Sequence, residues 1–146
     1  MRSPTTKRRL DARRPSSPLD GTDGSGTGGF RVAKEDSAPD GVAILTVRGE
    51  LDGHTAPQLK AALVAAMHQG ETAIMIDLEA CPFIDSTGLA VLCGVARMLR
   101  APNGSPGLAA ISTQPQVARV FGVSHVDEAV PLRSGRLEAL ATLGRA

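Results

Sequence analysis

A chain of 146 residues has room for one domain of ordinary size, and its 42% hydrophobic content can fill a core, so the chain as a whole is not disordered. Aromatic residues are only 2%, three Phe with neither Tyr nor Trp, which excludes a stacking platform for nucleic-acid bases. The 16 Lys and Arg against 15 Asp and Glu give no overall attraction to polyanions, and no apolar run approaches the roughly 20 residues that cross a bilayer.

Residues 1–29 are rich in Ser, Thr, Pro, Gly and Asp, with Leu10 and Leu19 almost alone as large apolar side chains. Six basic residues (Arg2, Lys7, Arg8, Arg9, Arg13, Arg14) face three acids there, and no contiguous apolar stretch suggests a signal peptide. Such a segment buries too little apolar surface to offset its ordering entropy, which predicts a disordered basic tail and a folded domain over 30–146. The folded part keeps 10 basic and 12 acidic residues and is slightly acidic.

Phe30 to Lys34 suits a short edge strand. Val42 to Val47 is a nearly unbroken apolar run of β-branched character, a strand covered on both faces. Leu59, Ala62, Leu63, Ala66 and Met67 recur at helical spacing, with Thr55 as N-cap, Pro57 in the first turn and Gly70 as the stop. Ala73 to Leu78 reads as a second buried strand. A loop through Pro82 leads to a helix from Ser86 to about Arg100, and the turn Asn103–Gly107 leads to a third core strand, Leu108 to Ile111. Thr113 and Pro115 open a short helix carrying Val117, Val120 and Phe121 and ending at Gly122. Ala129 to Leu132 suits a last strand, and Ser134 caps a closing helix with Leu137, Leu140 and Leu143. The order β-β-α-β-α-β-α-β-α predicts an α/β fold, a mixed and mostly parallel sheet of four to five strands packed with about four helices.

Cys81 and Cys93 have no metal-type spacing, and His54, His68 and His125 are scattered, so neither metal nor cofactor is expected and a reduced, cytoplasmic protein is the reading. The most informative segment is Phe83-Ile84-Asp85-Ser86-Thr87-Gly88-Leu89, which joins a strand's loop to a helix start. Ser86 is read there as the N-cap, its hydroxyl beside free backbone N–H groups and the positive end of the helix dipole. A phosphate fits such a place. Local physics alone leaves a plain capping serine and a phosphorylation site both open.

Three motifs follow in order on fitting elements: Gly49-Glu50-Leu51-Asp52 after a strand, Asp85-Ser86-Thr87-Gly88 opening a helix, and Arg119-Val120-Phe121-Gly122-Val123 further on. Together they resemble a STAS domain of the bacterial anti-sigma factor antagonist type, over about residues 30–143. The resemblance implies a partner switch. The unphosphorylated antagonist binds an anti-sigma factor, which is also a serine kinase, and so frees a sigma factor. The kinase phosphorylates the antagonist's serine and lets go, and a serine phosphatase resets it. The matching serine is Ser86, with Thr87 the weaker acceptor, and Asp52 matches the family's acid in the loop near the phosphosite, with a role in partner contact or in support of phosphorylation. Direct binding of nucleic acid or membrane is not implied. A STAS scaffold or nucleotide-responsive module of another regulatory complex, stressosome-like, is the alternative within the family.

The helix from Ser86 carries its own argument. Leu89, Leu92, Val95, Ala96 and Leu99 form the stripe expected to face the sheet, while Thr87, Val91, Gly94 and Met98 fall on another, uncharged sector. With Asp52 and Asp85 these four are the candidate partner-binding residues. As an exposed apolar sector beside a switchable serine it suits a regulated interface; covered by neighbouring elements it would be ordinary core. Catalysis finds little support. Asp85-Ser86-Thr87-Gly88 inserts Thr87 into an aspartic-protease D-[ST]-G, Ile84 replaces the first glycine of a nucleophile elbow, and no Walker A loop occurs. The chain is therefore expected not to be an enzyme.

Overall fold

The computed structural model describes residues 29–35 and 41–144. The expected tail lies outside the described residues apart from Gly29. Five strands form one sheet in the order β1 (Arg31–Lys34), β2 (Val42–Arg48), β3 (Ala73–Ala80), β4 (Leu108–Ile111) and β5 (Leu132–Arg133). β1 runs antiparallel to β2 at the edge, and the other neighbours are parallel. Parallel neighbours need crossovers, which α1 (Ala56–His68), α2 (Ser86–Leu99) and α3 (Pro115–Val123) supply; α4 (Arg136–Thr142) follows β5. The expected mixed α/β fold is what forms.

The apolar runs behave as strands buried on both faces. Val42, Ile44, Ala73, Met75, Ala109 and Ile111 make one side of the sheet and pack with Ala139 and Leu143 of α4. By strand alternation Ala43, Leu45, Val47, Ile74, Ile76, Leu78, Leu108 and Ala110 point the other way, and all are buried. α1 lies beside α2, and α2 lies against β4. Leu59, Leu63 and Ala66 are buried on α1, and Leu89, Leu92, Val95 and Ala96 on α2, whereas Ala62, Met67 and Leu99 at the margins of those stripes are half-buried. Gly70 stops α1 with φ at +90, a left-handed turn that a side chain resists.

The later elements depart from expectation. The last strand is only Leu132–Arg133, because Val126–Glu128 winds into a 3-10 turn after His125 takes a left-handed φ of 62. α3 runs one residue past Gly122. Its capping position is Gln114 with no side-chain cap, since Thr113 instead bonds the Glu79 carboxylate at 2.6–3.0 Å. Ser134 does not cap α4 either: Gly135 holds that position while the Ser134 hydroxyl donates to Glu138 at 3.0 Å. Leu137, expected with Leu140 and Leu143 on a core face, is 80% exposed; α4 is two turns long and its buried side is Ala139 and Leu143, with Leu140 half-buried. Among the described residues no helix is long and apolar enough to cross a membrane.

Candidate functional site

The loops that follow β2 and β3 meet. Leu51 N–H donates to the Phe83 carbonyl at 2.9 Å and Asp85 N–H donates to the Leu51 carbonyl at 3.0 Å, so Leu51 and Ile84 form a one-residue parallel bridge. Both side chains are fully buried. Gly88 explains why this union needs a glycine: a Cβ there would stand 2.7 Å from Leu51 Cγ and 3.0 Å from Ile84 Cγ1. Gly49-Glu50-Leu51-Asp52 and Asp85-Ser86-Thr87-Gly88 are thus two halves of one packed structure.

Each half carries an aspartate that accepts from backbone N–H groups just ahead of or within a helix start. Asp52 Oδ1 accepts from His54 N–H at 2.9 Å and from Thr55 N–H at 3.1 Å. Thr55 occupies the capping position of α1, but its hydroxyl turns back, accepting from Asp52 N–H at 3.0 Å and donating to the Glu50 carbonyl at 2.8 Å. Thr55 thus holds the expected N-cap position, but its side chain makes no cap bond to the helix, and Asp52 braces the turn that leads into it. The Thr55 N–H, with further hydrogen bonds from His54 N–H and the Thr55 hydroxyl, outweighs desolvation and holds the Asp52 carboxyl below the usual range.

At α2 the correction is of one residue. Asp85, not Ser86, is the N-cap; its Oδ1 accepts from Thr87 N–H at 3.0 Å and Gly88 N–H at 3.2 Å. A carboxylate is the stronger acceptor and favours the positive end of the dipole, so it takes the donors that a capping serine would have used. Ser86 becomes the first helical residue. It is exposed, and its hydroxyl has no hydrogen-bond partner among the described residues. The rest of the first turn is uncharged.

Of the other expected site residues, Thr87 is exposed next to Gly53, whose ideal Cβ would lie 3.7 Å from the Thr87 hydroxyl. Val91 is half-buried, Gly94 has open space where a Cβ would be, and Met98 is 63% exposed. The sector is exposed at its two ends, Thr87 and Met98, and partly covered between them at Val91 and Gly94. Phe83, 38% exposed, stands just before the same helix start. The loop between them is tightened by Cys81, whose buried thiol donates to the Phe83 carbonyl at 3.2 Å; burial pushes that thiol's pKa up and leaves it unreactive.

One residue with no place in any motif completes the site. Gln116, in the first turn of α3, accepts from Ile84 N–H through Oε1 at 2.9 Å and donates through Nε2 to the Ile84 carbonyl at 3.0 Å. A single amide residue whose partner lies 32 positions away carries no sequence signal; only the fold brings it there. No group of three or more His, Cys, Asp or Glu able to hold a metal occurs among the described residues. A cleft of about 420 Å³ lined by Ala96, Arg100 and Arg133 lies at the far end of α2 and takes in none of the residues around Ser86.

Residues 33–139 match the STAS domain model, and the chain belongs to that family. Its relatives include BtrV of Bordetella bronchiseptica, 33% identical over 102 residues that cover 70% of this chain and 86% of that one. The crystal structure of an anti-sigma factor antagonist from Mycobacterium paratuberculosis is similar, with 29% identity, a TM-score of 0.70 and coverage of 82% of this chain and 98% of that one. SpoIIAA of Bacillus, an anti-sigma factor antagonist whose structure is known in phosphorylated and unphosphorylated forms, is 25% identical; the phosphorylated form gives a TM-score of 0.53 and covers 77% of this chain and 97% of its own.

Proposed function

We propose that this protein is an anti-sigma factor antagonist. In its unphosphorylated form it docks through the outer face of α2 on an anti-sigma factor that is also a serine kinase, releasing a sigma factor. Phosphorylation of Ser86 ends the interaction and a serine phosphatase restores it. On this reading the chain is the substrate of phosphoryl transfer and not its catalyst, acts in the cytoplasm, and needs no cofactor. The observation that carries it is the exposed, unpartnered Ser86 hydroxyl at the head of an uncharged surface made by Thr87, Val91, Gly94 and Met98.

The capping geometry supports this reading of the switch. A phosphate on Ser86 adds about −1.5 to −2 charge at a helix start. The Thr87 and Gly88 N–H groups are already bonded to Asp85, so the phosphate is not gathered into the cap and stands beside that carboxylate, facing solvent. The free fold tolerates this, because a solvated dianion at the positive end of a helix costs little. A docked surface would strip its water, at a cost of several kcal/mol where no Arg or Lys answers it, and each ~1.4 kcal/mol is tenfold in affinity. Thr87, Asp85 and Asp52 line the approach, Asp85 serving first as the cap of α2 and Asp52 as the brace of the turn before α1.

The test uses three proteins, wild type, Ser86→Ala and Ser86→Asp, with the anti-sigma kinase recovered from the native cell. Ser86→Ala binds as wild type does and takes up no phosphate from ATP. Ser86→Asp melts normally and binds weakly. Phosphate uptake by Ser86→Ala would move the switch to Thr87, and tight binding by Ser86→Asp would remove it.

A further inference from the structure

The segment before Ser86 is held as a strand by something that is not a strand. In the parallel bridge with Leu51, the bonds run from Leu51 N–H to the Phe83 carbonyl and from Asp85 N–H to the Leu51 carbonyl, which leaves the N–H and carbonyl of Ile84 itself pointing to the opposite edge. The Gln116 side chain supplies both missing partners, acceptor and donor, at 2.9 and 3.0 Å, as a neighbouring strand's peptide would. Gln116 is itself fixed. Its helix buries Val117 and Phe121, and the residues leading into it grip the end of β3 through Thr113 N–H to Glu79 Oε1 at 2.6 Å and Gln114 Nε2 to the Glu79 carbonyl at 2.7 Å. The end of β3 and the loop that follows it to Ile84, with a proline and an exposed Phe, are thereby clamped at both ends by residues 113 to 116.

We infer that Gln116 is a positioning residue for modification of Ser86, an inference that rests on the phosphorylation reading above. The bridge to Leu51 holds the two peptide planes around Ile84 along one edge only, through the Phe83 carbonyl and the Asp85 N–H. The paired amide bonds of Gln116 hold the opposite edge, so that both edges together set where the Ser86 backbone enters α2 two residues later and hence where its hydroxyl is offered. Phosphoryl transfer depends on the hydroxyl meeting the donor phosphate in line, and a misplacement of about 1 Å can cost on the order of a hundredfold in rate. Docking depends instead on the outer face of α2, which Gln116 does not touch. Loss of the clamp should therefore slow transfer without weakening recognition.

Gln116→Met keeps the length and apolar body of the side chain and removes both hydrogen bonds. In full-length protein, native-state hydrogen exchange should quicken at least about tenfold at the Leu51 and Asp85 amides, on the edge of Ile84 away from the substitution, while amides of β2, β3 and β4 keep wild-type protection. With the anti-sigma kinase and ATP, kcat for phosphate uptake should fall about ten- to a hundredfold with KM for the protein unchanged. Unaltered exchange at Leu51 and Asp85 overturns the clamp, and so does a raised KM with kcat intact. If wild type takes no phosphate at Ser86, the phosphorylation reading fails by itself, and the exchange measurement still decides whether Gln116 holds the Ser86 segment.

Discussion

At the start of α2, Asp85 turns toward the backbone, satisfies two N–H groups and leaves the Ser86 hydroxyl without a partner among the described residues. At the start of α4 no side chain caps the helix, and the charged side chains bind one another instead. Arg136 Nη1 donates to Glu35 Oε1 at 2.8 Å, while Nη2 pairs with the other Glu35 oxygen and reaches Asp77 at 3.2 Å. One arrangement ties α4 to β3 and to the residue after β1; the other ties only the helix to its own cap. A side chain that caps the backbone leaves the surface around it open to a partner, whereas side chains that pair with each other close that surface. On the proposed reading, new charge would act as a signal at α2, whereas at α4 it would disturb an existing ion pair.

The largest expected effect tests whether the α2 surface is open. Met98→Glu should leave the melting curve nearly unchanged, since the residue is 63% exposed and surface changes stay within about 0.5 kcal/mol. Binding to the anti-sigma factor should weaken by roughly 2 kcal/mol or more, some thirtyfold, because the carboxylate is desolvated only on docking. Titration calorimetry with a parallel melt reads both numbers. Equal losses in the two would return this face to the core. The next effect tests the union of the two motif loops. Gly88→Ala should cost about 1–3 kcal/mol in chemical denaturation, because its Cβ has no room beside Leu51 and Ile84. A neutral outcome would mean that the loops yield easily and do not fix the site.

What the sequence could reveal divides along the same line. β2, β3 and β4 were legible because strands buried on both faces write themselves as unbroken apolar runs, and the inward stripe of α2 because its period is 3.6. Motif resemblance brought Asp52, Asp85 and Ser86 to one place in the chain's logic, and the Leu51–Ile84 bridge brings their loops together in space. The caps of α2 and α4 lie one residue from where the sequence points, because neighbours such as Asp85 and Ser86 are both good caps and only geometry selects between them. Gln116 was out of reach, since its role depends on the fold bringing α3 against Ile84. Leu137 faces away from the core because a two-turn helix with leucines at 137 and 140 and a third at its C-cap has more than one apolar side to offer.

Smaller effects separate cap from surface. Asp85→Ala should cost about 1 kcal/mol in denaturation, while Asp85→Asn, which still accepts a hydrogen bond, should cost less. Equal losses would mean that the charge, and not the cap, holds the start of α2. Gly94→Ala should raise stability by about 0.5–1 kcal/mol, since nothing lies within 4 Å of the new methyl and a helix interior prefers Ala to Gly. That makes α2 a helix in which two glycines answer the same substitution with opposite signs.

The smallest effect belongs to the closed end, and its sign follows from the charges. Hydrogen bonds from Arg136, with help from the Thr46 hydroxyl and against desolvation, hold the Glu35 carboxyl below its ordinary range, and the same contacts raise Arg136. A group whose folded pKa is depressed binds protons more readily when unfolded, so it stabilises the fold above its unfolded value, near about 4.3, and loses that contribution as pH falls through its folded value. Arg136 keeps its charge throughout and adds no slope. The ion pair is partly exposed, at 43% and 32% for the two side chains, so the contribution is about 0.5 kcal/mol and shrinks with salt. Denaturation of wild type and Glu35→Gln at pH 7 and at pH 3 measures it: the two should differ by about 0.5 kcal/mol at pH 7 and converge as the pH drops. A gap that persists at pH 3 would assign the effect to packing. A gap that widens there would reverse the sign and place Glu35 among groups that fold protonated.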